Sequence, residues 1–555
     1  MLHSSTVFPV CFALSYFLSS AAYAQSLPPA AKAAEESISA SRIRAHVKFL
    51  ASDLLEGRGP GQRGGELAAE YIATQFALDG LKPAGDNGSF LQRVPLAGVT
   101  PVPDQTRFSL VPQSGAPIAL HFGDDFVTSN QTQTDSATLD APIVWVGYGI
   151  DAPEYSWDDF KGVDVRGKVL LVLVNEPASE DEKFFKGKAL TYYGRWTYKF
   201  EQASRKGAAG VLIIHRTDLA SYGWDVVRNS WSGEHDYLQN DPLATLKAAS
   251  WIQLDIANKL FAAAGMDAAQ AIASAGKRGF TARELPVRLR AQVTSKVRRF
   301  ESTNVVGILP GADTASPGQA ILYTAHYDHF GVGPSKTADH IYNGAADNGT
   351  GCGVLLELAY VFSHAGIPPP HSVIFASVTA EEQGLLGSEY LGLHPPVPAS
   401  QISLDLNYDM LLPIGDPLST ELGGAERTSF YPQVQATAEQ FHLTIEPDAQ
   451  PMAGHYYRSD HFSLARVGIP SFSIGEGTRY AGHPEGWGQE QYQEYNKNRY
   501  HQPTDEYTDS MDFTGNAKMA KFGFVLGWKA MQANAPVQWQ PGDEFEAARK
   551  RSMTR

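Results

Sequence analysis

The chain has 555 residues, more than one hydrophobic core usually holds, and at roughly 150 residues per domain it is expected to form two to four domains. With 43% hydrophobic and 19% charged residues it has the composition of an ordinary globular protein, which excludes a disordered or fibrous chain. Lys plus Arg number 45 against 60 Asp plus Glu, and the resulting net charge of -15 argues against nucleic acid as a partner and leaves no polybasic patch for anionic lipid.

Residues 1–24 contain no Lys, Arg, Asp or Glu, carry an apolar stretch from Val7 to Leu18, and end in Ala22-Tyr23-Ala24, the small-x-small pattern before a signal-peptidase cut. They are expected to be an export signal, placing the mature chain in a periplasm or outside the cell. A buried N-terminal helix is the competing reading, because the positive charge usual at the start of a signal is missing. The stretch is too short for a membrane span, and no later run of about 18 apolar residues supplies one. Cys11 would leave with the signal, so no internal disulfide is expected, and Cys352, between two glycines, is expected to be buried and inert.

After a small-residue linker at Ser26 to Ala34, apolar residues recur at helical spacing through Ile43, Val47, Leu50 and Leu54 and stop at Gly57-Arg58-Gly59-Pro60. A second amphipathic stretch runs from Glu66 to Leu78, so residues 35–115 are expected to open with two helices. Over 116–292 the texture changes to short apolar runs such as Ile143 to Val146 and Val169 to Val174, separated by Gly, Pro and Asp turns, and a separate strand-rich domain is expected. Over 300–535 short strands alternate with helical stretches, namely Ala320 to Ala325, Gly353 to Ser363, Ser372 to Val378, Leu385 to Leu391 and Ile402 to Tyr408. That order predicts an α/β fold, a mixed and mostly parallel sheet flanked by helices, with ligands at the carboxyl ends of its strands. Residues 536–555 form a C-terminal tail.

Chemistry-bearing residues gather at those strand ends. His326-Tyr327-Asp328 follows the run Ile321 to Ala325; His326 can ligate a metal and Asp328 can accept its other ring N–H, although a hydrogen-bonded surface pair explains this His-x-Asp better when it is taken alone. Asp347 lies in a small-residue loop, Asn343 to Gly351, where a carboxylate can approach one or two cations; a Gly-rich turn at a helix start is the alternative. Glu381 and Glu382 close the strand Val373 to Thr379, and adjacent carboxylates conflict unless a cation or proton compensates them, leaving one as ligand and the other as general base. Asp409 ends another strand, and His501 lies in Tyr500-His501-Gln502-Pro503-Thr504-Asp505. Together these are two histidines and three carboxylate ligands, a donor set suited to zinc and sufficient for two ions about 3.5–4 Å apart around a shared carboxylate, for which Asp347 is the candidate.

The chain resembles the M28 peptidases through His326-x-Asp328, Asp347, Glu381-Glu382, Asn407-x-Asp409 and Tyr500-His501, all in that family's order. The resemblance covers Asn304 to Ala535, and the helices around Ile43 to Leu78 resemble the segment that completes the catalytic domain in longer members. The middle region resembles a protease-associated insert through Ile143 to Gly149, Gly167-Lys168-Val169 and Lys206 to Gly210. The resemblance implies a zinc exopeptidase fold and two Zn2+ ions, with His326 and Asp409 on one, Glu382 and His501 on the other, and Asp347 between. It implies Glu381 as general base to a metal-activated water, Tyr500 as donor to the oxyanion, and Arg458, in Arg458-Ser459-Asp460-His461, as a substrate contact. Asp460 and His461 are read as a satisfied pair beside the site. The 21-position separation of His326 from Asp347 leaves a long loop, Gly331 to His340, that can cover the site. The implied activity is an exported aminopeptidase acting on peptides. A carboxypeptidase on the same scaffold, a one-zinc glutaminyl cyclase and a non-catalytic binding protein are the rivals; the full ligand set disfavours the last two.

Overall fold

The computed structural model describes residues 26–220, 222–313, 319–335 and 338–554. The expected export signal at 1–24, with Cys11, lies outside them. Among the described residues no helix is long and apolar enough to cross a membrane.

The first expected helix forms as α1 (Ala40–Leu50), with Ile43, Val47 and Leu50 buried on one face. It ends in a tight turn through Asp53–Arg58, where Glu56, Gly57 and Arg58 are all left-handed, and α2 (Arg63–Leu78) follows. Then come β1 (Leu91–Pro101), β2 (Ser136–Trp145), β3 (Val169–Leu173), β4 (Gly210–Ile214) and β5 (Ala248–Ile252). The last four pair parallel in that order. Every residue of β3, β4 and β5 is buried, as expected of parallel strands covered on both faces.

A single strand, β6 (Arg283–Leu309), 27 residues long, joins this sheet to the next. Its first part pairs with β2 as far as Thr294, and from Ser295 it pairs with β1, so the change of partners falls between Thr294 and Ser295. Its end, Val305 to Leu309, lies antiparallel to a later strand, β8. The rest of the second sheet is β7 (Ala320–His326), β8 (Val373–Val378), β9 (Ile402–Asn407) and β10 (Ser471–Ser473), in spatial order β10-β9-β7-β8-β6. The contacts β7–β8, β7–β9 and β9–β10 are parallel, so the sheet is mixed and mostly parallel, as expected.

On one face, α1 and α2 pack with α3 (Gly351–Ser363) and α4 (Thr514–Met531) against a core in which Tyr323 stacks on Phe375 at 5.5 Å and Phe362 meets Phe524 at 4.3 Å. On the other face, the helices Leu386–Leu393 and His461–Arg466 bury Leu391 and Leu464 against Leu322, Ile374 and Ile402. Because β8 and β9 both run parallel to β7, all three strands open at the same edge, and the residues after His326, Val378 and Asn407 emerge side by side.

Arg58 ties the N-terminal segment to that edge. Its side chain is buried, Nε donates to the Tyr327 carbonyl at 2.6 Å, Nη1 to Leu50 O at 2.6 Å and to Asn343 O, and Nη2 to Gly344 O at 2.9 Å. One guanidinium thus saturates carbonyls from α1, the end of β7 and the loop before α3. Replacing it leaves several buried carbonyls without donors. Arg58→Met is therefore expected to destabilise this part of the fold by about 3–5 kcal/mol, read as a lowered urea midpoint.

Candidate metal centre

His326 ends β7 with its side chain 1% exposed. Its Nε2 lies 3.1 Å from Asp409 Oδ1 and 3.4 Å from Asp347 Oδ1. On the opposite side, Asp347 Oδ2 lies 3.3 Å from His501 Nε2, and that nitrogen is 3.1 Å from Glu382 Oε2. The two oxygens of Asp347 thus face different histidines. His326, Asp347, Glu382, Asp409 and His501 converge on a common centre although 175 positions separate the first from the last. Glu381 lies on the His326 side, offering an oxygen within 4.8 Å of the donor atoms of His326 and Asp409.

Charge explains why such a cluster needs a cation. Burial works against an ionised Asp347, yet its contacts with His326 and His501 hold it well below the usual carboxylate range. For His501, burial opposes the charged ring, but Asp347 and Glu382 outweigh it and push the imidazole up to about 10. Glu381 is driven well above the usual range by burial and by Asp409, Glu382 and Asp460, with His326 acting the other way. Several buried donor atoms have no protein hydrogen-bond partner, among them both ring nitrogens of His329, Glu382 Oε1 and Asp328 Oδ2. Imidazole nitrogens and carboxylate oxygens at these separations fit zinc chemically, and two groups of donor atoms can each hold an ion.

The backbone around the donors is braced from elsewhere in the chain. Asp505 accepts from Ala346 N, from Asp347 N at 3.1 Å and from the Tyr495 hydroxyl at 3.1 Å. Asn348 donates to Tyr408 O and accepts from Gly351 N and Met410 N, binding the Asp347 loop to the Asp409 loop. Gly344 is left-handed at φ 56, and a Cβ there would lie 2.2 Å from Asp347 O and 2.7 Å from His329 Cγ, so this loop closes only on glycine. Ser459 Oγ donates to Asp409 Oδ2 at 2.6 Å and accepts from Asn407 Nδ2 at 2.8 Å.

Some sequence expectations change in detail. The His326 Nδ1 partner is the Asp328 main-chain carbonyl at 3.2 Å, whereas the Asp328 carboxylate lies 3.7 Å away and instead accepts the Glu381 N–H at 3.2 Å. Asp328 is two residues past its histidine, and the chain turns so that the carbonyl faces the ring. Asp460 and His461 are both buried, but no ion pair joins them; burial pushes Asp460 up to about 7 and His461 down to about 3. Tyr500 is 39% exposed rather than in the core, and its ring stacks on His501 at 3.7 Å. Arg458 is exposed and donates to Ala453 O at 2.9 Å. The Cys352 thiol donates to His326 O, and burial raises it to about 11, which makes it unreactive as expected. In the long loop, Gly331–Val332 pairs with Ile341–Tyr342 beside the Asp53–Arg58 turn, and Phe330 meets the His501 ring edge-on at 4.7 Å.

Sequence reasoning missed His329, which is fully buried with Nδ1 2.6 Å from Glu382 Oε1, and the bracing roles of Arg58, Asn348 and Asp505. The one signal for His329 was a second histidine three residues after the first, on the same strand exit.

Residues 304–522 match peptidase family M28. Leupeptin-inactivating enzyme 1 of Streptomyces exfoliatus is 26% identical over 270 residues, 46% of this chain and 55% of that one. Aminopeptidase YwaD of Bacillus subtilis is 34% identical over 102 residues, 18% of this chain and 20% of its own length. The chain thus spans about half the length of the first of these relatives and a fifth of the second. Among solved structures, an aminopeptidase from Aneurinibacillus sp. strain AM-1 superposes with a TM-score of 0.47 and 19% identity, over 92% of this chain and 97% of that one. The part of the chain that carries the donor cluster, residues 304–522, is thus similar to peptidase family M28.

Removing the Ser459 hydroxyl frees Asp409 to rotate away from His326. Ser459→Ala is expected to weaken zinc binding about 10- to 100-fold, measured by competition with a chromophoric chelator, with little change in fold.

Proposed function

We propose that this chain is an exported di-zinc aminopeptidase that removes N-terminal residues from peptides. The observation that carries the reading is Asp347, whose Oδ1 faces His326 and whose Oδ2 faces His501. A carboxylate so placed suits two cations, one with His326 and Asp409, the other with Glu382 and His501. Zinc ions there would supply Lewis-acid polarisation of the scissile carbonyl and make water acidic enough to attack near neutral pH.

The remaining steps belong to side chains. Glu381 takes the proton of the attacking water on its carboxylate and returns it to the leaving amine nitrogen, a role supported by its oxygen lying within 4.8 Å of the donor atoms of His326 and Asp409. Tyr500, half-exposed and stacked on His501, donates its hydroxyl hydrogen to the oxygen that gains charge. Asp328 positions Glu381 through its backbone N–H. Arg458, one residue from the Ser459 that holds Asp409, is the group that meets a substrate carboxylate. The region 116–292 is a protease-associated insert; its Leu190 N–H donates to Pro451 O at 3.0 Å, beside the Arg458 turn, so it borders the substrate approach.

Glu381→Gln is expected to keep two equivalents of zinc and its fold while losing about 100- to 10,000-fold in kcat; wild-type turnover would exclude the residue as base. Asp347→Ala should lose both ions, and a variant that still holds two equivalents by elemental analysis contradicts the shared carboxylate. Dipeptides blocked at the amino end are expected to resist cleavage while C-amidated ones are cut; the opposite pattern makes the enzyme a carboxypeptidase. N-terminal sequencing of the exported protein should begin at Gln25.

A further inference from the structure

His329 has no part in the chemistry above, yet it sits in the middle of the site. It is fully buried, and neither ring nitrogen has a protein hydrogen-bond partner. Nδ1 lies 2.6 Å from Glu382 Oε1, while Glu382 Oε2 faces His501 at 3.1 Å. A donor atom of His329 and one from each of Asp347 and Glu382 all lie within 4.8 Å of one another. The ring is packed against Phe330 and beside Gly344, the glycine on which the Asp347 loop closes. A buried imidazole with both nitrogens unsatisfied bears a desolvation cost that a cation would remove.

We propose that His329 is a further protein donor to the ion on the His501 side, so that the two metal positions are chemically unequal. This rests on the di-zinc reading. On the His501 side the donors are His329, Asp347, Glu382 and His501, four in all; on the His326 side they are His326, Asp347 and Asp409, because Glu381, whose oxygen lies within 4.8 Å of the donor atoms of His326 and Asp409, is taken up by the proton transfer proposed above. Four protein donors would hold a zinc ion in the manner of structural sites, whereas three would leave one place open, as in catalytic sites. The His501-side position therefore fills first, holds its ion more tightly, and fixes the oxygens of Asp347 and Glu382. The His326-side position, beside Glu381, fills second and is the one that a weak chelator empties. Neutral imidazole is a better zinc donor than the carbonyls and hydroxyls nearby, and a second histidine gives the closed position the greater share of the binding energy.

The test uses the full mature chain, stripped with a chelator and reloaded with zinc. At one equivalent, X-ray absorption at the zinc edge counts imidazoles on the first-bound ion. Two imidazoles are expected, and one overturns the proposal. In H329Q a polar side chain remains beside Glu382 Oε1, but the ring nitrogens are gone. Chelator competition is expected to show the first-equivalent affinity lowered by more than about 100-fold, beyond the 10- to 100-fold typical of losing a hydrogen-bonding partner of a ligand, with the second equivalent changed less than about 10-fold. A smaller loss at the first equivalent, or equal losses at both, overturns it. Circular dichroism of metal-free H329Q checks that the variant folds; should it not, the imidazole count on the wild type decides alone. Wild-type protein that binds fewer than two zinc ions contradicts the di-zinc reading itself, which separates that failure from this one.

Discussion

Four carboxylates, Asp347, Glu381, Glu382 and Asp409, are held at one sheet edge among three histidines, and everything else about the site follows from their need for positive charge. In a buried setting such a group repels itself unless protons or cations intervene. Protein cations do not fill the centre: Arg58 lies behind the loop and spends its donors on carbonyls. Among the histidines, the neighbouring acids hold protons on His326 and His501 more tightly than on a free imidazole. A divalent cation would resolve the conflict without those protons, and two groups of donor atoms in this cavity could each hold one.

Placement of the acids is a property of the sheet. Parallel pairing of β8 and β9 on either side of β7 brings three chain exits to one edge, giving His326, the Glu381-Glu382 pair and Asp409. Asp347 and His501 come from loops, and loops must be held. Asp505 grips the backbone of Asp347, Asn348 links it to the Asp409 loop, Ser459 fixes Asp409, and Arg58 closes the back of the assembly. Such bracing keeps donor atoms at separations suited to metal even though the carboxylates repel one another.

The long strand β6 couples the two sheets, because one unbroken backbone ladder serves both. The region between β1 and β6 is therefore anchored rigidly at its exit, and it also meets the metal-bearing part near the Arg458 turn. There Tyr192 lies 6.4 Å from Tyr457 and 5.1 Å from Phe462. Aromatic packing at this seam ties the region between β1 and β6 to the segment around Arg458.

The sequence by itself determined the α/β class, the strands on which the donors ride, and the donor set, because hydrophobic runs of strand length ending in His or acid residues are local patterns that survive without knowledge of the fold. That Asp347 would lie among these donors, facing both His326 and His501, was also legible, from its small-residue loop. What only the tertiary structure decided depends on long-range contact: that His329 shares the cavity with Glu382, that Asp328 offers its carbonyl rather than its carboxylate to His326, that Asp460 and His461 do not pair, and that Arg58, 269 positions before Tyr327, holds the strand exit together. These are hydrogen bonds and burial between segments far apart in the chain, and no spacing in a sequence encodes which distant carbonyl a buried guanidinium or imidazole will meet.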